Sequence, residues 1–235
     1  MIGRSVLRSA LSDSQCDAMY EILARHFTGV ERAQFLKDLD EKNRVILVEH
    51  EDGQLVGFST LLLYETENEG EPLSIVYSGD TIVDRSVWGS NALARTWLRT
   101  VFGLEKIPGS RRLLWLLIVS GFRTYRFLPV FFREFYPRHD RPASANTQTL
   151  IEMLARERFG HDYDAKRGVV RLTRPQCLLP DLAKIPESRL KSPHIAFFER
   201  MNPGHTRGDE LVCLTELSPA NLTSASHRML AGEDS

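Results

Sequence analysis

The stretch Ser74-Ile-Val-Tyr-Ser-Gly-Asp-Thr-Ile-Val-Asp-Arg-Ser-Val-Trp-Gly-Ser-Asn-Ala-Leu-Ala-Arg-Thr-Trp-Leu-Arg99 decides the fold. It reads as a β-strand, a tight turn, and a helix that opens with small residues. Amides at such a helix start have no intrahelical partner and lie at the positive end of the helix dipole. That arrangement suits a phosphate or pyrophosphate, so the stretch points to a nucleotide-like cofactor held by backbone.

Outward from this stretch, Val45–Glu49 and Leu55–Tyr64 form a hairpin through the Asp52-Gly53 turn. Residues 65–71 are acidic and read as a solvent loop. Upstream, residues 3–10 read as a strand. A helix runs from Asp13, its expected cap, to His26, and a second spans residues 30–42. Downstream, Leu113–Val119 is a seven-residue apolar run, the length of a strand buried on both faces. Residues 147–159 read as an amphipathic helix, 169–172 and 211–217 as strands, and 193–201 as one or two helical turns. The order β-α-α-β-β-β-α-β-α predicts an α/β fold of the α+β kind, with a central mixed sheet flanked by helices. We expect a domain over 1–172, an extension over 173–217 packed on it, and a flexible tail over 218–235.

Forty-two per cent of the 235 residues are apolar and the formal net charge is -1, so the composition is globular and no overall charge favours nucleic acid. The charge is uneven: residues 1–84 carry 16 acidic and 7 basic side chains, whereas 85–141 carry 3 and 11, so the basic half begins at the anion-binding helix. The three cysteines, Cys16, Cys177 and Cys213, have neither metal-ligand nor disulfide-framework spacing, which fits a reducing cytoplasm. No apolar run reaches bilayer length, no metal site is legible, and no Gly-Lys-Ser/Thr phosphate loop occurs.

The order of elements, the hairpin with Glu49, Asp52-Gly53 and Val56-Gly57-Phe58, and the Ser74–Asp84 strand with its helix resemble the GNAT acyltransferase superfamily over residues 1–136. The resemblance implies acetyl-CoA or a longer acyl-CoA as donor and a small-molecule amine as acceptor; for want of a legible nucleophile the expected route is direct attack, with no metal. It assigns Ile82, Val83, Trp88, Gly89, Ser90, Asn91 and Ala92 to the cofactor. The family's Gln/Arg-x-x-Gly-x-Gly/Ala loop is degenerate here, with Trp88, Asn91 and Leu93 at the three signature positions. Two alternatives follow: a GNAT-like small-ligand-binding protein without catalysis, or an acyltransferase that takes its acyl group from an acyl carrier protein docked on the basic surface. A homodimer is compatible with either.

Acyl transfer to an amine needs a base, and the resembled family also uses an acid. Asp80 is the expected base, because Gly79 inside an apolar strand marks a bulge that re-aims its neighbours. Glu49 is second choice. Tyr125 is the expected acid, although Ser120 stands where the family has Asn and Phe127 where it has Tyr. Tyr77, Ser78, His205 and Arg207 are expected to bind substrate, the last two from a loop over 202–210 that closes on the cleft. Arg85, Arg123, Arg126 and Arg133 are expected to meet phosphates or an acidic substrate. Seven aromatics in the fifteen residues 122–136 form either an acyl pocket or a packed core or subunit contact.

Overall fold

A computed structural model describes residues 1–104 and 112–232. The chain opens with β1 (Ile2–Leu7), α1 (Asp13–His26), β2 (Phe27–Thr28) and α2 (Arg32–Asp40). Strands β3 (Arg44–Glu49), β4 (Leu55–Asn68) and β5 (Glu71–Val83) follow as a meander, then α3 (Ala92–Phe102) and β6 (Arg112–Val119). Next come α4 (Phe122–Tyr125), α5 (Phe127–Phe131), β7 (Phe135–Tyr136) and α6 (Ala145–Phe159). The last third holds β8 (Tyr163–Asp164), β9 (Val169–Val170), β10 (Cys177–Leu178), α7 (Pro180–Ala183), α8 (Glu187–Leu190), α9 (Pro193–Met201), β11 (Glu210–Glu216) and α10 (Ser224–Ala231).

Among the described residues one sheet of nine strands runs in the order β1-β3-β4-β5-β6-β11-β9-β8, with β7 also on β11. All pairs are antiparallel except β5 with β6. Alternation sorts side chains onto two faces. Trp115, Leu117 and Cys213 face α3 and the aromatic segment, whereas Leu116, Val212 and Tyr77 face α6. The α1–α2 layer covers Val45, Leu47, Phe58 and Ile82.

Several local expectations change. Ser12, not Asp13, caps α1: its Oγ accepts the Gln15 amide at 3.2 Å while the Gln15 side chain accepts the Ser12 amide at 3.0 Å. The acidic stretch 65–71 is mostly strand, because Glu69 and Gly70 both adopt positive φ (53° and 81°) and make the hairpin turn in two residues. The helix after β5 starts at Ala92, behind a 3-10 turn at Arg85–Val87. β11, in the expected extension, pairs with β6 and completes the main sheet. The stretch expected as a flexible tail carries α10, whose Ser226 is buried and donates to the Phe131 carbonyl at 2.6 Å. Among the described residues no helix is long and apolar enough to cross a membrane.

Candidate functional site

Parallel pairing of β5 with β6 ends at Ser78 and Leu117, although the strands continue to Val83 and Val119. The strands therefore part at their C-terminal ends, where a mixed sheet opens a cleft. The parting begins at a bulge: Gly79 and Asp80 of β5 face Thr60 of β4, between the pairs Leu61–Ser78 and Ser59–Thr81. A Cβ at Gly79 would lie 2.7 Å from Thr60 Oγ1 and 3.1 Å from Lys42 Cε, so glycine lets the strand pass this close.

The bulge sets Asp80 among charged groups from other elements. Burial pushes its carboxyl from 3.8 up to about 6, against the opposing pull of Lys42. Lys42 is itself buried and held below its ordinary pKa by burial and by Arg158; its Nζ donates to the Asp38 carbonyl at 2.7 Å. Across the cleft Glu210 opens β11, and its Oε2 accepts from Ser120 Oγ at 2.8 Å. Burial raises Glu210 from 4.5 to about 7; the Ser120 bond opposes this and the charge of Asp80 adds to it. Asp80 and Glu210 are half-buried. Together they are two carboxyls that exchange protons near neutrality, as acid–base chemistry requires.

Between the ordinary values, 3.8 and 4.5, and the raised ones, about 6 and about 7, the folded chain keeps protons that the unfolded chain has released. Their contribution to stability is full below about pH 4 and falls as pH rises toward about 7. Urea unfolding at a series of pH values is expected to show this slope, and the Asp80→Asn, Glu210→Gln double variant to flatten it. An unchanged slope in the double variant would refute the assignment.

The other expected residues divide. Tyr77 joins the Asp80 group: its buried ring packs on Phe159 at 5.8 Å, with the Arg158 guanidinium 4.9 Å and Lys42 Nζ 5.7 Å from its centre. Ser78 faces the opposite side, where its Oγ accepts the Trp115 indole N–H at 2.8 Å. Glu49 is held below its ordinary pKa by a two-pronged pair with Arg4, both bonds 2.9 Å, and makes no base.

Tyr125 also departs from expectation. It lies on the α3 face, opposite Tyr77, fully buried against Phe135 and Phe198, and its hydroxyl donates to the Pro137 carbonyl at 2.8 Å. Burial pushes that hydroxyl far above its ordinary pKa. Tyr125→Phe is therefore expected to cost about 0.5–1.5 kcal/mol of stability, one hydrogen bond, and to leave turnover unchanged. A large loss of kcat with intact stability would restore it as the acid. The aromatics of 122–136 are mainly core: Phe122, Phe131, Phe132 and Phe135 are buried beside Trp97 and Trp115.

His205 is a buried tie rather than a substrate ligand, with Nδ1 3.0 Å from the Asn202 carbonyl and Nε2 3.3 Å from the Ala183 carbonyl. Arg207 is exposed, and the segment meant to close on the cleft is a turn pinned by Asn202, whose Nδ2 donates to the Asp209 carbonyl at 2.8 Å. A groove of about 530 Å³ at the other end of β6, lined by Arg112, Tyr136, Thr147 and Glu216 among others, holds none of the expected site residues.

Three amides of the loop after β5 are spent within it. The amide of Trp88 donates to the Arg85 carbonyl (3.4 Å), that of Ser90 to the Val87 carbonyl (2.9 Å), and that of Ala92 to Ser90 Oγ (3.1 Å). Asp84 Oδ1 accepts the Ser86 amide at 3.0 Å and so caps the Arg85–Val87 turn. Ile82 is buried in the α1–α2 core, and Gly89 and Asn91 are exposed. Positive charge at this loop comes from side chains: the Arg123 guanidinium stacks 4.2 Å from the Trp88 ring centre. Sequence reasoning missed Glu210, Lys42 and Arg158 as members of the site; a strand-end glutamate and two helix-end cations carry no distinguishing pattern.

No protein-family model and no curated protein matches the sequence. Among solved structures, the chain is similar to an acetyltransferase from Trypanosoma brucei at 18% identity, covering 60% of this chain and 99% of that one, with a TM-score of 0.41. It is similar to the GNAT-family N-acetyltransferase YhbS from Escherichia coli, solved in complex with CoA, at 17% identity, covering 54% and 68%, with a TM-score of 0.38. NAA60 from Arabidopsis thaliana, in complex with a bisubstrate analogue, has 14% identity, 59% and 88% coverage and a TM-score of 0.42. In fold the chain is similar to acetyltransferases, a GNAT-family member among them, and its mixed α/β sheet flanked by helices is the class expected from its sequence.

Proposed function

We propose that this chain is an acyltransferase that moves an acyl group from acyl-CoA to a small-molecule amine by direct attack. The observation that carries the reading is the pair of carboxyls, Asp80 and Glu210, on the two sides of the β5–β6 parting, both shifted toward neutral pH. When bound, the donor supplies the activated thioester. Val83 and the loop Trp88–Ala92 face it in this reading.

Asp80 takes the proton of the attacking amine. An ammonium group is no nucleophile, and a carboxyl with a pKa of about 6 is ionised at neutral pH while still basic enough to accept a proton. Glu210, held by Ser120, is the second proton site and stands where an amine can be oriented between two carboxylates. Lys42 limits the negative charge of the group and opposes the protonation of Asp80 that burial favours.

Release of free thiol from acetyl-CoA in the presence of a panel of small amines, compared between the wild-type chain and Asp80→Asn, tests the reading. Turnover that depends on both amine and Asp80 supports it. Turnover with every amine absent in the wild type defeats it and leaves a binding protein.

A further inference from the structure

We propose that Asn202 is the positioning residue for Glu210: its carboxamide ties together the two backbone segments that carry Glu210 and its partner Ser120, and so fixes the second carboxyl at the β5–β6 parting. The proposal deepens the acyl-transfer reading above and rests on it for the part Glu210 plays in the reaction. It gives the C-terminal extension a task at the site.

The ladder between β6 and β11 has Val119–Leu211 as its last pair. The next two residues in that register are Ser120 and Glu210, and their side chains join them, Ser120 Oγ to Glu210 Oε2 at 2.8 Å. Backbone pairing therefore stops where the carboxyl has to be placed. Asn202, which ends α9, fills the gap. Its Nδ2 donates to the Asp209 carbonyl at 2.8 Å and reaches the Val119 carbonyl, a longer contact, at 3.5 Å. Those two carbonyls directly precede Glu210 and Ser120.

Alternation along β11 puts Glu210 on the α6 face of the sheet, with Val212 and Leu214. α9 packs on the opposite face through Ile195, Phe197 and Phe198. Asn202 therefore holds the backbone behind Glu210 rather than the carboxyl itself, and acts on it through the Ser120 bond. The carboxamide is in turn well fixed. Asn202 is fully buried, and its amide donates to the Phe198 carbonyl at 2.8 Å. Its own carbonyl accepts the His205 amide at 3.1 Å and faces His205 Nδ1 at 3.0 Å. Oδ1 is buried without a partner among the described residues, so Nδ2 alone orients the group. Supporting groups locked in this way are what a precisely placed acid–base residue needs.

The test follows the titration of Glu210 by NMR of the full chain with isotope-labelled glutamate, its signal assigned by its loss in Glu210→Gln. The wild type is compared with Ser120→Ala, Asn202→Ala and the double variant. The Ser120 bond holds the Glu210 titration down against burial. Ser120→Ala is therefore expected to raise the midpoint by about 1 pH unit, the worth of one hydrogen bond to a charged group. Asn202→Ala is expected to raise it similarly, and the double variant no further, because both changes break the same bond. If Asn202→Ala does not fold, Asn202→Ser, whose hydroxyl ends one bond short of Nδ2, is read in the same way. An Asn202 variant that loses stability yet keeps the wild-type midpoint overturns the proposal, as do effects that add in the double variant. A raised midpoint, with no acyl transfer to any amine by the wild type, supports the role of Asn202 and sinks the catalytic reading instead. Acyl transfer by the wild type, with an unmoved midpoint in the Asn202 variants, does the reverse.

Discussion

Asp80→Asn is expected to lower kcat/KM for acyl transfer by about 10²–10⁴-fold, the usual worth of a positioned general base. The amide has nearly the shape of the carboxyl but accepts no proton at working pH. The wild-type rate is expected to rise with pH through about 6, because the base acts when ionised and burial has raised it to that value. Lys42→Met removes the cation that opposes this shift, so the rise moves to higher pH. Asp80 also raises Glu210, so Asp80→Asn is expected to bring the Glu210 titration down from about 7 toward the ordinary range. A pH–rate profile of the three proteins, with their melting temperatures as control, checks this. An Asp80→Asn protein with wild-type kcat/KM and the same pH limb would end its role as base.

Phe198→Ala is expected to destabilise the chain by about 3–5 kcal/mol, the cost of emptying a buried phenyl site. Phe198 on α9 is fully buried, 5.6 Å from the Tyr125 ring and 5.5 Å from His205. It ties the C-terminal extension to the aromatic core beneath β6. The loss is expected in one cooperative transition, because β11 of the same extension lies inside the main sheet. Urea unfolding followed by both tryptophan fluorescence and circular dichroism measures it. A loss below about 1 kcal/mol, or two separated transitions, would mean that the extension does not share the core.

Local pattern carried much of this fold. The apolar positions Cys16, Met19, Ile22 and Leu23 face inward on α1 as their spacing predicts, and the run Leu113–Val119 is a strand buried on both faces. Gly79 was legible as a bulge because a glycine inside an apolar strand has few other uses, and Asp80 followed from it. The elements that went astray lacked such signals. The acidic residues 65–68 look like loop because charge pattern says nothing of hydrogen bonding, yet they extend β4. Tyr125 looked free to act as an acid because sequence does not show which face of the sheet a residue will meet.

By its sequence alone this chain determined its mixed α/β class, the hairpin-and-crossover order, and the bulge that aims Asp80. These depend on periodicity and turn chemistry among residues close in the chain. The tertiary structure decided which groups surround Asp80. Lys42 and Glu210 act on it from distant segments, Arg158 comes in beside Lys42, and the Ser120–Glu210 bond exists because β11 pairs with β6. The shifted pKa values arise from burial and from charges brought together by folding, which no single stretch of sequence encodes. The same holds at the loop after β5, where Arg123 of α4 comes to stack on Trp88.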